Sequence, residues 1–214
     1  MLEQNHGAAE SAKNNMREKH KKPTSAYRKF RRVFAKTKLR APLVWWEHRN
    51  LLPCDVFIAS YPKSGSTWLR FVLFEMLSGM PAGFKATNEL MTRIGQHGRA
   101  MHALPGGGRF IGTHQQYRKD YQKAIYLVRD ARDVVSSEFA YLTALDYFRG
   151  DLDKYISTFL FTCGSAYGYG PWQQHISSWL DSPLNGTETC WLCAMKICGK
   201  IRYLDLHAWR NFSA

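Results

Sequence analysis

The sequence predicts an α/β fold: a parallel β-sheet flanked by helices. Three observations predict it. Short apolar runs of strand length recur at residues 56–59, 109–114 and 123–128. The first and third lead directly into apolar segments of helical length through compact polar turns, as strand–turn–helix units do. The third run, Lys123-Ala-Ile-Tyr-Leu-Val128, is apolar enough to be covered on both faces, the condition of strands inside parallel sheets. A chain of 214 residues with 45% hydrophobic residues can build one domain with its own core.

Taken in order, residues 1–23 are polar and nearly free of aromatics, and are expected to be disordered. Residues 25–43 are basic and amphipathic, with Tyr27, Phe30, Val33, Phe34 and Leu39 on one helix face. Such a stretch suits packing on the domain, or contact with nucleic acid or an anionic membrane surface. Residues 1–50 hold thirteen Lys and Arg against four Glu, which is +9 of the formal net charge of +13. The remaining +4 is ordinary for a globular domain, and no nucleic-acid partner is expected. Trp45 and Trp46 read as packing residues ahead of the first strand. No apolar run reaches the roughly 18 residues of a membrane span, so no transmembrane segment is expected. With no secretory signal ahead of the basic arm, the odd count of five cysteines points to reduced thiols in a cytoplasmic protein.

After the strand at 56–59 comes a loop with one lysine, one glycine and three hydroxyls: Lys63, Ser64, Gly65, Ser66 and Thr67. The helical segment 68–77 follows, stopped by Ser78-Gly79 and Pro81. Backbone N–H groups and the helix dipole at such a junction favour an anion, and Lys63 adds a full charge. A helix that only needed a cap would need one hydroxyl. Residues 81–108 read as loops with one short helix near 88–94. His97 and His102 have no partners that would complete a metal set and are expected at the surface. His114 ends the second strand, at the edge where an open α/β sheet presents its chemistry. Arg129 follows the third strand, and Ser137 stands eight residues later on the next helix, 133–147. Asp133 is expected to cap or brace that helix, and Arg132 to be solvated. Further helices are expected over 151–163 and from Pro171 to Leu180, separated by a Gly/Tyr loop at 164–170. Trp172, His175, Ile176 and Trp179 share one helix face and read as packing.

These residues carry a resemblance. Tyr61-Pro62-Lys63-Ser64-Gly65-Ser66-Thr67-Trp68 resembles the 5′-phosphosulfate loop of sulfotransferases that use 3′-phosphoadenosine 5′-phosphosulfate (PAPS), Ser66 standing where that family usually has Thr. Arg129 and Ser137 match the spacing of its 3′-phosphate motif, and Thr113-His114 matches the strand end that carries its histidine. Gly112 stands where the family usually has lysine. The resemblance implies a P-loop NTPase-like, three-layer sulfotransferase fold that transfers a sulfuryl group from PAPS to a hydroxyl or amine acceptor. It implies no metal. Lys63, Ser64, Gly65, Ser66, Thr67, Trp68, Arg129 and Ser137 would hold the nucleotide; His114 would act as general base and Lys63 would stabilise the departing phosphate. A P-loop kinase would want a Walker A glycine and a magnesium-binding acid, neither of which is in place. A catalytically inactive PAPS- or PAP-binding remnant is the other alternative.

The implied division is a basic arm at 1–44, a sulfotransferase domain at 45–187 and a tail at 188–214 outside the family pattern, leaving the fold incomplete at its C-terminal end. From Glu188 the residues read neither as a clean strand nor as a zinc site, despite Cys190, Cys193 and Cys198. The family pattern has an apolar strand there and then Arg-Tyr-Glu-Asp. Back-translation of the tail, read two bases later, permits Asn-Leu-Leu-Val-Val-Arg-Tyr-Glu-Asp-Met-Arg. A frameshift near Thr187 is therefore expected, with weak or no turnover as its consequence. Sequencing the gene tests it: a gene in which no alternative frame encodes Arg-Tyr-Glu-Asp after Thr187 rules the frameshift out.

Overall fold

The structure, a computed structural model, describes residues 40–161, 169–188 and 190–195. The chain divides into two units, Met1–Ala41 and Pro42–Ala214. The expected disorder of 1–23 and most of the amphipathic segment 25–43 lie outside the described residues, as does most of the loop at 164–170.

The elements in chain order are α1 (Arg40–Glu47), β1 (Val56–Ser60), α2 (Ser66–Ser78), α3 (Phe84–Leu90), β2 (Met91–Arg93), β3 (Phe110–Thr113), β4 (Lys123–Arg129), α4 (Ala131–Ala144), α5 (Leu152–Phe161), α6 (Trp172–Leu180) and β5 (Cys190–Met195). All strand pairings are parallel, in the order β2-β3-β1-β4-β5. The expected α/β class and parallel sheet are therefore present.

Successive residues of each strand face opposite ways, and the sequence uses both faces. Val56, Ile58, Phe110, Ile125 and Leu127 pack with Leu69, Leu73 and Phe74 of α2 and Leu90 of α3. Phe57, Ala59, Ile111, Ala124 and Tyr126 pack on the other face with Trp179 and Ile176 of α6. Helix, sheet and helix form three layers. A third cluster joins Tyr61 to Val134 and Leu142 of α4 and Tyr155 of α5, beyond the C-terminal end of β1.

The N-terminal ends of β1 and β3 are locked by a buried ion pair. Arg109 Nε donates to Asp55 Oδ1 at 2.9 Å and Arg109 Nη2 to Oδ2 at 2.6 Å, with Asp55 fully buried. The same carboxylate accepts from the backbone N–H of Leu52 and Arg109. Burial alone would raise the Asp55 pKa; the hydrogen bonds from Arg109 and Leu52 overcome this and hold it below its ordinary value. Beside the pair, a Cβ placed on Gly108 would lie 2.1 Å from the Cys54 carbonyl oxygen, so the two backbones can meet only through glycine.

Several expectations are corrected. The helix expected near 88–94 lies earlier, at Phe84–Leu90, and Met91–Arg93 is a strand. The buried Arg70 guanidinium donates to Asn88 Oδ1 and to the Met91 carbonyl, which ends α3 there, and Met91 pairs with Phe110. The helix expected from 133 begins at Ala131, because Asp130 is its cap and accepts from the Arg132 N–H. Asp133 takes the second of its two expected roles, a brace 3.8 Å from Arg129 Nε. Trp45 and Trp46 are exposed at 68% and 52% and do not pack in the core. His97 is buried, held through Nε2 by the Arg49 carbonyl at 2.7 Å. Residues 190–195, expected to be neither strand nor family-like, form β5 against β4, with Cys190 beside Ala124 and Met195 beside Arg129.

Removing one partner of the buried pair leaves the other charge without compensation. Asp55→Asn is expected to destabilise the fold by about 3–5 kcal/mol, measured by urea denaturation.

Candidate active site

Because β1, β3 and β4 run parallel and in register, their C-terminal ends emerge together: Ala59 lies beside Thr113 and Tyr126, and Ser60 beside Leu127. The sequence-predicted site residues lie at these ends or on the helices that follow them, Ser137 in α4.

The loop after β1 turns sharply. Lys63 has φ 66° and Gly65 φ 98°, both left-handed, which is costly for a lysine and natural for a glycine. Gly65 is the N-cap of α2, yet no side chain caps that helix. The loop hydroxyls thus do not serve the helix, and the first N–H groups of α2 have no capping side chain. Ser64 is buried, and its Oγ has no hydrogen-bond partner. Ser66 is half-buried; Thr67 and Trp68 are exposed.

Arg129, at the end of β4, reaches across to this loop. Its Nη1 donates to the Lys63 carbonyl at 2.7 Å. The guanidinium is largely buried, and its Nε makes no hydrogen bond, only the long approach to Asp133. The Arg129 carbonyl accepts from Trp172 Nε1 at 3.2 Å. Lys63 Nζ stands 4.1 Å from the centre of the Tyr141 ring on α4, a cation–π contact. Burial lowers the Lys63 pKa and Arg129 adds to this, while Glu138 opposes it. The two strand ends therefore form one cationic corner with a buried hydroxyl and a buried N–H left over. Ser137 is half-buried in the second turn of α4, while the Arg129 guanidinium is turned toward Lys63 and Asp133.

His114 lies on the next strand end. Its Nδ1 is 2.8 Å from the Ser60 carbonyl, which can only accept. Nδ1 therefore carries the proton, and Nε2 is the basic nitrogen. Gly112, in the position of the family's lysine, has room for a side chain: a Cβ there would meet the Thr92 carbonyl at an ordinary 3.5 Å.

Sequence reasoning named His175 as part of a packing face but did not pair it with Tyr126. His175 is fully buried on α6, with Nε2 3.1 Å from the His114 carbonyl and Nδ1 2.9 Å from the Tyr126 hydroxyl. The available signal was Tyr126 itself, a phenol in an otherwise aliphatic strand, which needs a partner when buried. Elsewhere, an open cleft of about 510 Å³ lined by Trp45, His48, Arg49, Asn50, Arg118 and Asp120 shares no residue with this corner. Among the described residues no helix is long and apolar enough to cross a membrane, and no three His, Cys, Asp or Glu side chains gather as a metal site.

Burial lowers the His175 pKa from 6.5 to about 4. In that window the unfolded chain binds a proton that the folded chain refuses, so stability is full above pH 6.5, falls toward pH 4, and levels off below. The loss is about 3 kcal/mol. His175→Gln is expected to flatten this acid limb in denaturation curves recorded across the window.

A sulfotransferase domain model matches residues 53–187. Sulfotransferase 1B1 of the dog (Canis lupus familiaris) is 27% identical over 146 residues, 59% of this chain and 48% of that protein. Flavonol 3-sulfotransferase of Flaveria bidentis is 26% identical over 181 residues, 67% of this chain and 55% of that one. The chain thus spans about half the length of these relatives. Among solved structures, mouse sulfotransferase SULT7A1 complexed with PAP has a similar fold, with a TM-score of 0.51 and 21% identity, covering 75% of this chain and 57% of that one. A model match over more than half the chain, on the strand order and loop just described, makes this protein a member of the sulfotransferase domain family.

Proposed function

We propose that this chain is a PAPS-dependent sulfotransferase acting on a hydroxyl or amine acceptor. The observation that carries the proposal is the contact between the two strand ends. Arg129 is bonded to the carbonyl of Lys63, and beside that bond Ser64 Oγ and Arg129 Nε are buried without hydrogen-bond partners. Buried polar groups are ordinarily satisfied, and groups of this polarity are satisfied by an anion. The similar mouse structure is complexed with PAP, the nucleotide that remains when PAPS has given up its sulfuryl group.

In this reading Lys63, Ser64, Ser66, Thr67 and the N–H groups of Gly65 to Trp68 hold the 5′-phosphosulfate end. Arg129 and Ser137 hold the 3′-phosphate, and the exposed Trp68 indole lies against the base. Bound PAPS supplies an activated sulfuryl group. His114 Nε2 takes the acceptor proton as the new bond to sulfur forms. Lys63 and the backbone donors meet the charge that grows on the departing phosphate oxygen, an electrostatic role that needs no rearrangement during the step.

Adenosine 3′,5′-bisphosphate is expected to bind in calorimetry where ATP does not. Arg129→Ala is expected to weaken that binding by about 10- to 100-fold, the value of a charge-assisted contact to phosphate. Equal affinity for ATP, or binding indifferent to Arg129, would overturn the assignment. Binding without transfer of labelled sulfate to a panel of phenols, alcohols and amines would leave a nucleotide-binding protein without turnover.

A further inference from the structure

Behind His114 the sheet holds a chain of polar side chains in an otherwise apolar layer. Its direction is fixed by elementary donor and acceptor rules. The His114 carbonyl can only accept, so His175 Nε2 must carry a proton and donate to it. Burial keeps the His175 ring neutral at ordinary pH, so its Nδ1 is then an acceptor, and the Tyr126 hydroxyl must donate to it. The Ser60 carbonyl likewise can only accept, so His114 Nδ1 donates to it. Read in sequence, the His114 carbonyl fixes the tautomer of His175, Tyr126 O–H satisfies its other nitrogen, His175 N–H holds the peptide of His114, and the His114 ring donates to β1.

Packing alone does not require this. The Tyr126 and Trp179 rings stack at 4.9 Å, and the Tyr126 and His175 rings lie 5.8 Å apart, 26° from parallel. Phenylalanine at 126 and an apolar ring at 175 would fill the same volume without burying two ring nitrogens and a hydroxyl. Such groups cost free energy when buried unless every partner is present, and here the partners lead to the backbone at His114 and Gln115, the end of β3. A ring whose other nitrogen must take a proton depends on that peptide being held, because a small rotation about it swings Nε2 away from the acceptor.

We propose that Tyr126 and His175 are positioning residues that hold the His114 peptide so that its ring keeps Nδ1–H on the Ser60 carbonyl and presents Nε2 as the base. This rests on the reading of His114 as the general base. Neither residue touches the reacting atoms; both act through the His114 carbonyl.

The test is the ring-nitrogen spectrum of the full-length protein with ¹⁵N-labelled histidine, read at neutral pH. In the unaltered protein His175 is expected as the Nε2–H tautomer and His114 as the Nδ1–H tautomer. Either ring in the opposite tautomer overturns the relay at once, whatever the variants do. Tyr126→Phe keeps the aromatic packing and removes only the donor. It leaves His175 in the Nε2–H tautomer that the His114 carbonyl requires but strips its Nδ1 of a partner, and is expected to move the His114 signals toward Nε2–H. His175→Phe is expected to move His114 likewise. His175→Gln, which can still accept from Tyr126 and donate to the His114 carbonyl, is expected to restore the native His114 signals. His114 signals unchanged in both phenylalanine variants would reduce the pair to core packing and end the proposal. Where turnover is measurable, Tyr126→Phe should lower kcat by about tenfold and leave KM for the nucleotide unchanged. The tautomers are read without turnover. Failure of sulfuryl transfer would therefore sink the functional assignment and leave the relay standing, whereas unmoved tautomers would sink the relay alone.

Discussion

Strand β1 is hydrogen-bonded on both sides by parallel partners, β3 and β4, and the candidate site depends on that pairing. Parallel strands finish at the same edge. Ser60, Thr113 and Arg129 therefore deliver three chain segments to one place: the lysine loop, the His114 peptide and the arginine that begins the next helical unit. Had β1 paired with either neighbour in the antiparallel sense, the lysine loop and that neighbour's site residue would sit at opposite ends of the sheet. The crossover helices α2 and α6 cover the two faces. The polar groups of the site are thus confined to the rim, where a ligand can reach them.

At that rim the structure leaves polar groups of two adjacent strand ends unsatisfied side by side. The first N–H groups of α2 lack a capping side chain, and Ser64 Oγ and Arg129 Nε lack hydrogen-bond partners. Lys63 sits in a left-handed conformation unusual for its type and rests its amine on Tyr141. At the other end of the same strands, Asp55 and Arg109 satisfy each other and recruit four backbone groups besides. A fully satisfied ion pair thus stands at one end of these strands, and unpartnered polar groups stand at the other.

Much of this was legible in the residues. The strands at β1, β3 and β4 announced themselves by apolar runs, and the loop from Lys63 to Thr67 by more hydroxyls than a cap needs. What sequence concealed was set by long-range contacts. β2 is three residues long and exists because Arg70 reaches its first carbonyl and β3 lies alongside; neither fact has a local signature. β5 had a signature, six consecutive apolar residues, obscured by comparison with a motif that should have stood there. His97 looked like a surface histidine because its partner, the Arg49 carbonyl, is 48 residues away in sequence. Tyr126 and His175 were visible as types but not as a pair, since only the sheet and α6 together bring them within 2.9 Å.

Gly108 has a reach beyond its own turn. A methyl group there would collide with the Cys54 carbonyl, one residue before Asp55, while Gly108 itself stands one residue before Arg109. The separation of carboxylate and guanidinium is thus governed by a residue with no side chain. A single added carbon would act as a wedge at the floor of the sheet, prising apart the two strands whose upper ends carry the lysine loop and His114.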